Sequence, residues 1–378
     1  MFLAWKEMRR AKARFGLLIA AVGLLVFLIL FQQSLQNGLL TSFTGALRNQ
    51  SAEVLVYRTD GRRILQASVI SPDLTEMVGK DPSVAAVGRI TQGTFTVTPL
   101  ALGADAEPVE TSIIGFELPD LGGPRFLTAG RVPENTEEAV ASDADAAGGF
   151  AVGDVVRIEP GGKQLTIVGL ARDAQLNVAP TLFVTYDAYR AALASRNPDA
   201  GAPLPNGLGI RPAPGITAGQ AVAAINALSP ELDALTREDA AEQAPGVAQV
   251  RQSFRVIFLL YGFVVPLVTG LFFLIITFQK APALTLLRAI GAPASRLVAS
   301  LLIQVAIVLG GGLVAGVGLY AALARGRIGG VPLRFETTAV IVWVVLLSVG
   351  GLISALFSAR RVLAIDPYSA TTGAGVGR

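Results

Sequence analysis

Few residues of this chain have the chemistry for catalysis. Its 378 residues include no His and no Cys, which removes the commonest general base, the commonest metal ligand and the thiolate nucleophile. Two acidic pairs, Glu137 with Glu138 and Asp143 with Asp145, have the residue types for general acid–base work. Both lie in a stretch rich in Ala and acids, Glu134 to Gly149. That stretch reads as solvated loop plus a short helix, and no catalysis is assigned to it. Gly161-Gly162-Lys163 is followed by Gln164, not Ser or Thr, so it reads as a turn between strands. No G-x-x-x-x-G-K-[ST] run occurs in the sequence, so this chain cannot cradle nucleotide phosphates in the Walker manner. What remains is a set of polar side chains within or beside apolar stretches: Gln32, Gln33, Gln36, Tyr261 and Tyr320. They are either an interfacial belt or the lining of a lateral opening through which an amphiphile enters from the outer leaflet.

Four nearly charge-free stretches position those groups. A helix rising about 1.5 Å per residue needs roughly 20 apolar residues to cross a bilayer core of about 30 Å. Residues 15–38, 256–278, 297–324 and 338–357 meet that requirement. The first could be a secretory signal, but Phe31-Gln32-Gln33-Ser34-Leu35-Gln36-Asn37-Gly38 follows its apolar run without a small-x-small cleavage pattern, which favours a retained span. Ahead of it, Lys6, Arg10 and Arg14 recur every four residues and Phe2, Trp5 and Met8 every three. Residues 1–14 therefore read as an amphipathic helix on the inner surface. Eleven basic residues in the N-terminal segment, in the turn after the second span and in the tail face only Glu7 and Asp366. Cytoplasmic flanks retain Lys and Arg, so both termini are expected inside and residues 39–250 outside. Arg325, Arg327 and Arg334 fall in the short outer loop and fit that rule least; they are read as headgroup contacts or partners of the acidic domain.

The external segment 39–250 holds 15 basic and 25 acidic residues, a net charge of −10 inside a chain of +3. The basic balance therefore reflects topology and gives no support for nucleic-acid binding. Residues 53–58, 94–98, 111–116, 155–159 and 164–170 are short, β-branched and bounded by turn residues, and predict strands. Ser71–Val78, Tyr186–Ala194 and Ala218–Leu228 have helical periodicity, with Asp73 or Thr217 available as caps. An α+β domain follows, with Leu193–Pro214 as a long loop between two lobes. Within the spans, Gly312 and Gly316 form a G-x-x-x-G step suited to close helix packing, and Pro266 between Gly262 and Gly270 predicts a kink.

The turn after the second span is the sharpest functional signal. Pro282 can start a helix and Gly291 can end it, so residues 282–292 predict a short helix on the inner face offering Leu284, Leu287 and Arg288 to a partner. Taken alone, this could be an ordinary basic turn. Its run Leu287-Arg288-Ala289-Ile290-Gly291-Ala292 resembles the coupling helix of MacB/FtsX-type (type VII) ABC transporter permeases. Ala359-Arg360-Arg361-Val362-Leu363-Ala364-Ile365-Asp366-Pro367 resembles the closing element of that family. Ala129-Gly130-Arg131-Val132-Pro133, Val152-Gly153-Asp154-Val155-Val156 and Thr166-Ile167-Val168-Gly169-Leu170 resemble its periplasmic core domain. Leu3-Ala4-Trp5-Lys6-Glu7-Met8 before a long span resembles the DevC and HrtB branches.

The resemblance implies a membrane protein with one plus three transmembrane helices and a large MacB-like α+β extracytoplasmic domain between helices 1 and 2, with residues 251–378 forming the permease domain. It implies a cell-membrane permease subunit without ATPase activity of its own, acting as a dimer with two separate ABC ATPases that bind ATP and Mg. Leu284, Leu287, Arg288, Ala289, Ile290 and Gly291 would couple to them. Two roles stay open. One is extrusion of a hydrophobic or amphipathic molecule such as haem, a lipid, a lipopeptide or a drug. The other is force transmission to an extracytoplasmic protein such as a cell-wall hydrolase, without transport. No metal or cofactor is expected in this chain; haem would be substrate, and membrane lipids surround the spans.

Overall fold

The apolar run after Phe15 continues without interruption past its hydrophobic end as one helix, α1 (Lys12–Arg48). The structure, a computed structural model, describes residues 12–103, 105–199, 201–289, 293–324, 327–328, 331–333 and 335–363. After α1 come β1 (Val54–Arg58), α2 (Pro72–Gly79), β2 (Val84–Pro99), β3 (Val109–Phe116), β4 (Leu127–Gly130) and β5 (Glu138–Ser142). Then follow β6 (Val155–Glu159), β7 (Gln164–Ala171), β8 (Thr181–Thr185), α3 (Tyr186–Arg196), β9 (Gly207–Pro212), α4 (Ala218–Leu228), β10 (Leu232–Thr236) and α5 (Arg237–Glu242). The chain returns through α6 (Val247–Ala289), α7 (Ala294–Leu323), a hairpin of β11 (Arg327–Ile328) and β12 (Val331–Pro332), and α8 (Thr337–Leu363). It divides into two compact units, Asn37–Gln252 with Arg327–Pro332, and the remaining segments Met1–Gln36, Ser253–Gly326 and Leu333–Arg378.

The larger unit is α+β and has two lobes. In the first, β10-β1-β9-β2 are neighbours in that order, all antiparallel, and α2 and α4 follow β1 and β9. This is the βαββαβ connection of a ferredoxin-like sheet. β1 is buried on both faces: Val54 and Val56 enter a core with Leu74, Val78, Ala221 and Ile225 of the two helices, and Leu55 and Tyr57 enter one with Ala46 and Leu47 of α1. The second lobe is inserted between β2 and β9. The far half of β2 pairs with β3, β3 with β8, β8 with β5, β5 with β7, β7 with β6, and β6 back with β2. These pairings close a six-stranded ring, which leaves those strands no free edge. Its interior holds Phe95, Val97, Ile113, Val156, Ile158, Leu165 and Ile167, against Tyr189 and Ala192 of α3.

Local signals start the helices. Ser71 caps α2 by accepting from Leu74 N–H at 3.3 Å; Asp73 lies inside the first turn instead, because Pro72 at the first helical position holds the preceding residue extended. Thr217 and Gln220 form a reciprocal capping box on α4.

Two stretches read as loop are strands. Gly207–Pro212 lies inside the expected loop 193–214, yet β9 is a central strand. Its glycines weaken local strand propensity, but a Cβ at Gly209 would stand 2.7 Å from Leu121 O and 3.0 Å from Ala52 Cβ, so close packing demands them. β5 likewise replaces part of the expected loop 134–149, and a 3-10 helix (Asp143–Gly148) completes it. Its small Ala139 and Ala141 are fully buried in the ring, where bulk has no space.

Asp145 and Glu138 of this stretch are structural partners rather than solvated charges, while Glu134 and Glu137 stay exposed. Asp145 is buried and accepts from Thr181 N–H at 3.2 Å and from Gln175. Glu138 is gripped by both guanidinium nitrogens of Arg131, at 2.7 and 2.6 Å, and accepts Glu134 N–H at 3.0 Å. The Arg131 hydrogen bonds, then that backbone bond, lower its carboxyl to about 2. A depressed carboxylate contributes stability above its unfolded value of about 4.3, lost as pH falls toward the folded value. Denaturation midpoints should therefore drop from about pH 5 to pH 2 more steeply in wild type than in Glu138→Gln; parallel profiles would deny Glu138 that role.

Candidate functional site

The smaller unit is built from helices whose apolar residues need a partner or a non-aqueous medium. Phe15, Leu18, Val22, Val26 and Leu30 form one stripe of α1, packed with Val305, Val308, Leu309 and Tyr320 of α7. The helices approach closely where Gly312 and Gly316 of α7 meet Gly23 of α1. A Cβ on Gly316 would stand 2.6 Å from Gly23 O, and one on Gly312 2.5 Å from Val22 Cγ1. Among the described residues, Lys12–Arg48 and Val298–Leu323 are long and apolar enough to cross a bilayer, and Thr337–Ile353 is a shorter apolar helix. The segment expected as the second span, 256–278, lies wholly within α6. There Val256, Leu259, Phe263, Leu267 and Leu271 form an exposed apolar stripe, a surface that calls for lipid or another chain.

The polar residues singled out in these helices differ in burial. Gln32, Gln33 and Gln36 are half-buried at the end of the apolar part of α1, and Gln33 Nε2 donates to Gln36 Oε1 at 3.4 Å. Tyr261 is half-buried in α6. Tyr320 is 1% exposed, its ring 5.3 Å from Phe335 and its hydroxyl accepting Glu336 N–H at 3.2 Å, ahead of α8. Sequence reading passed over Gln304 and Ser34, both buried polar side chains in α7 and α1; a lone amide within the apolar run of α7 was the available signal. Tyr320→Phe should lower the unit's stability by about 1 kcal/mol, the usual worth of one hydrogen bond, read as a lower melting temperature; an unchanged melting temperature would deny the hydroxyl that role.

The inner turn differs from expectation in one respect. Instead of a separate helix starting at Pro282, α6 runs without a break to Ala289, through both Pro266 and Pro282. A proline removes only its own N–H from the ladder, and long apolar helices tolerate the loss where neighbouring bonds persist. Leu284, Leu287, Arg288 and Ala289 are thus the last turns of α6, while Ile290 and Gly291 lie outside the described residues, as do residues 1–11 of the expected surface helix, Arg325, Arg334 and the tail from Ala364.

No family model matches the chain. It aligns end to end, however, with the protein named as hemin transport system permease HrtB of Staphylococcus haemolyticus (strain JCSC1435), at 23% identity over 99% of both chains. That alignment takes in the long first apolar helix, the inserted domain and the apolar C-terminal third in one order. The chain is thus similar over its whole length to a transport permease, in line with the MacB/FtsX-type resemblance of its motifs. Part of the chain overlaps the solved periplasmic region of MacB from Actinobacillus actinomycetemcomitans, with 10% identity, 53% of this chain, 95% of that one and a TM-score of 0.36. Part also overlaps the extracellular domain of the noncanonic ABC-type transporter YknZ from Gram-positive bacteria, with 9% identity, 49% and 99% coverage and a TM-score of 0.34.

Proposed function

We propose that this permease, driven by a separate ATPase, extrudes an amphipathic molecule from the outer leaflet, and that the molecule is haem. The observation that carries the reading is the end-to-end alignment with a protein named for hemin transport. In this reading the four apolar helical segments all span the membrane, both termini are cytoplasmic and the α+β domain is outside. The final turns of α6 receive the ATPase stroke through Leu284, Leu287 and Arg288, with Ala289, Ile290 and Gly291 closing the contact. Without His or Cys, haem would be held by its apolar faces, by Tyr, Met or carboxylate at the iron, or by Arg at its propionates. A weakly held porphyrin suits a cargo that must be released. Gln32, Gln33, Gln36 and Tyr261, on α1 and α6, are the proposed polar contacts at the entry level.

The test is the ATPase rate of permease plus cognate ATPase in nanodiscs, titrated with hemin, a metal-free porphyrin, lipids and amphiphilic drugs. Saturable stimulation by hemin supports the reading. Stimulation by a lipid or drug alone would replace haem with that class, and indifference to every small molecule would overturn export.

A further inference from the structure

Three unfavourable features of the domain meet at one place, where the loop Asp173–Ala179 touches α1. Asp173, Asn177 and Val178 have φ of 49°, 56° and 59°. Asp and Asn tolerate this left-handed region, but a β-branched Val is a genuine outlier there. The loop keeps that shape while bonding into the backbone of α1. Val178 N–H donates to Ser42 O at 2.9 Å, Asn177 N–H to Phe43 O at 3.0 Å, and Ala46 N–H donates to Gln175 O at 2.9 Å. Ser42 O and Ala46 N–H, one helical turn apart, are thus both bonded by the loop. Asn49 Nδ2 donates to Asp173 O at 2.9 Å, and a Cβ at Gly45 would collide with that same carbonyl.

The ring of strands grips the loop from its other side. Asp173 N–H donates to Asp143 Oδ1 at 3.0 Å and Ala174 N–H to Ser142 Oγ at 3.3 Å. Yet Ser42 Oγ on α1 and Gln175 Oε1 on the loop are buried without a hydrogen-bond partner among the described residues. Strained backbone and orphaned polar atoms persist only where their surroundings over-determine them, and both are relieved when the contact parts.

We propose that Asp173–Ala179 is a releasable latch on α1. It is closed in this structure, and it opens to a state in which the loop leaves α1 and Val178 returns to negative φ. The inference needs neither haem nor an ATPase, so it stands or falls separately from the export reading.

Amide exchange of the full-length permease in nanodiscs without ATPase, resolved to single residues, tests it. Asn177 and Val178 should exchange through local opening, ahead of the amides of β1. Val178→Asn and Val178→Gly both accept positive φ and should slow exchange at position 177 about tenfold, whereas Gly45→Ala should accelerate it. The Val178 variants remove strain and so carry the test even where Gly45→Ala fails to fold. Loop and β1 amides exchanging at one common rate, or Val178 variants that leave Asn177 unchanged or faster, would overturn the latch.

Discussion

Replacing Gly316 with leucine is expected to break the packing of α1 on α7 and cost the permease its stable fold. The argument is steric. The first added carbon would lie 2.6 Å from both Gly23 O and Val26 Cβ, and a backbone carbonyl cannot move aside like a side-chain tip. Overpacking a core commonly costs about 1–3 kcal/mol, and a leucine against backbone belongs at or beyond the upper end. Gly312→Leu should act alike through Val22. Gly310→Leu and Gly318→Leu are the controls, since nothing lies within 4 Å of a Cβ at either position. Thermal melting of the four purified variants decides the matter: two low melting temperatures and two near wild type are expected. Equal melting temperatures would mean that the glycines do not set the contact.

Leu287→Glu is expected to abolish hemin-stimulated ATPase while leaving the basal rate of the ATPase intact. Positions 284, 287 and 288 share a face by helical spacing at the end of α6, so a carboxylate there would enter an apolar contact with the ATPase. An unpaired buried charge shifts or breaks such a contact at a cost of several kcal/mol, enough for more than a hundredfold loss of coupling. Glu138→Gln, on the ring of strands, should keep full stimulation. If Leu287→Glu is stimulated like wild type, the last turns of α6 do not carry the stroke, and the proposed coupling is wrong irrespective of the cargo.

The legible parts of this molecule are those whose cause is local. Apolar length shows in composition, so the long helices were readable, as were strands such as β1, β3, β6 and β7 whose β-branched residues lie between turn residues. Thr217 identifies a helix start, to which the structure adds Gln220 as its reciprocal partner. β5 and β9 escaped because alanine and glycine argue against strands locally, and only burial inside a ring or against Leu121 explains them. The candidate site was partly legible: the glycine step of α7 predicted close packing, and Gly23 of α1 shows what it packs on. Tyr320 reads from hydropathy as an interfacial residue, whereas the fold buries it against Phe335.

By itself, then, the sequence determined that this is an apolar-helix protein with a large acidic α+β insertion and no His or Cys chemistry. Only the tertiary structure decided that β2 bends from one sheet into a closed ring, that Arg131 clamps Glu138, and that Val178 sits left-handed against Ser42. Composition and periodicity are short-range properties, set by each residue and its near neighbours. Ring closure, close backbone approach and strain depend on groups far apart in the chain, whose meeting no single segment encodes.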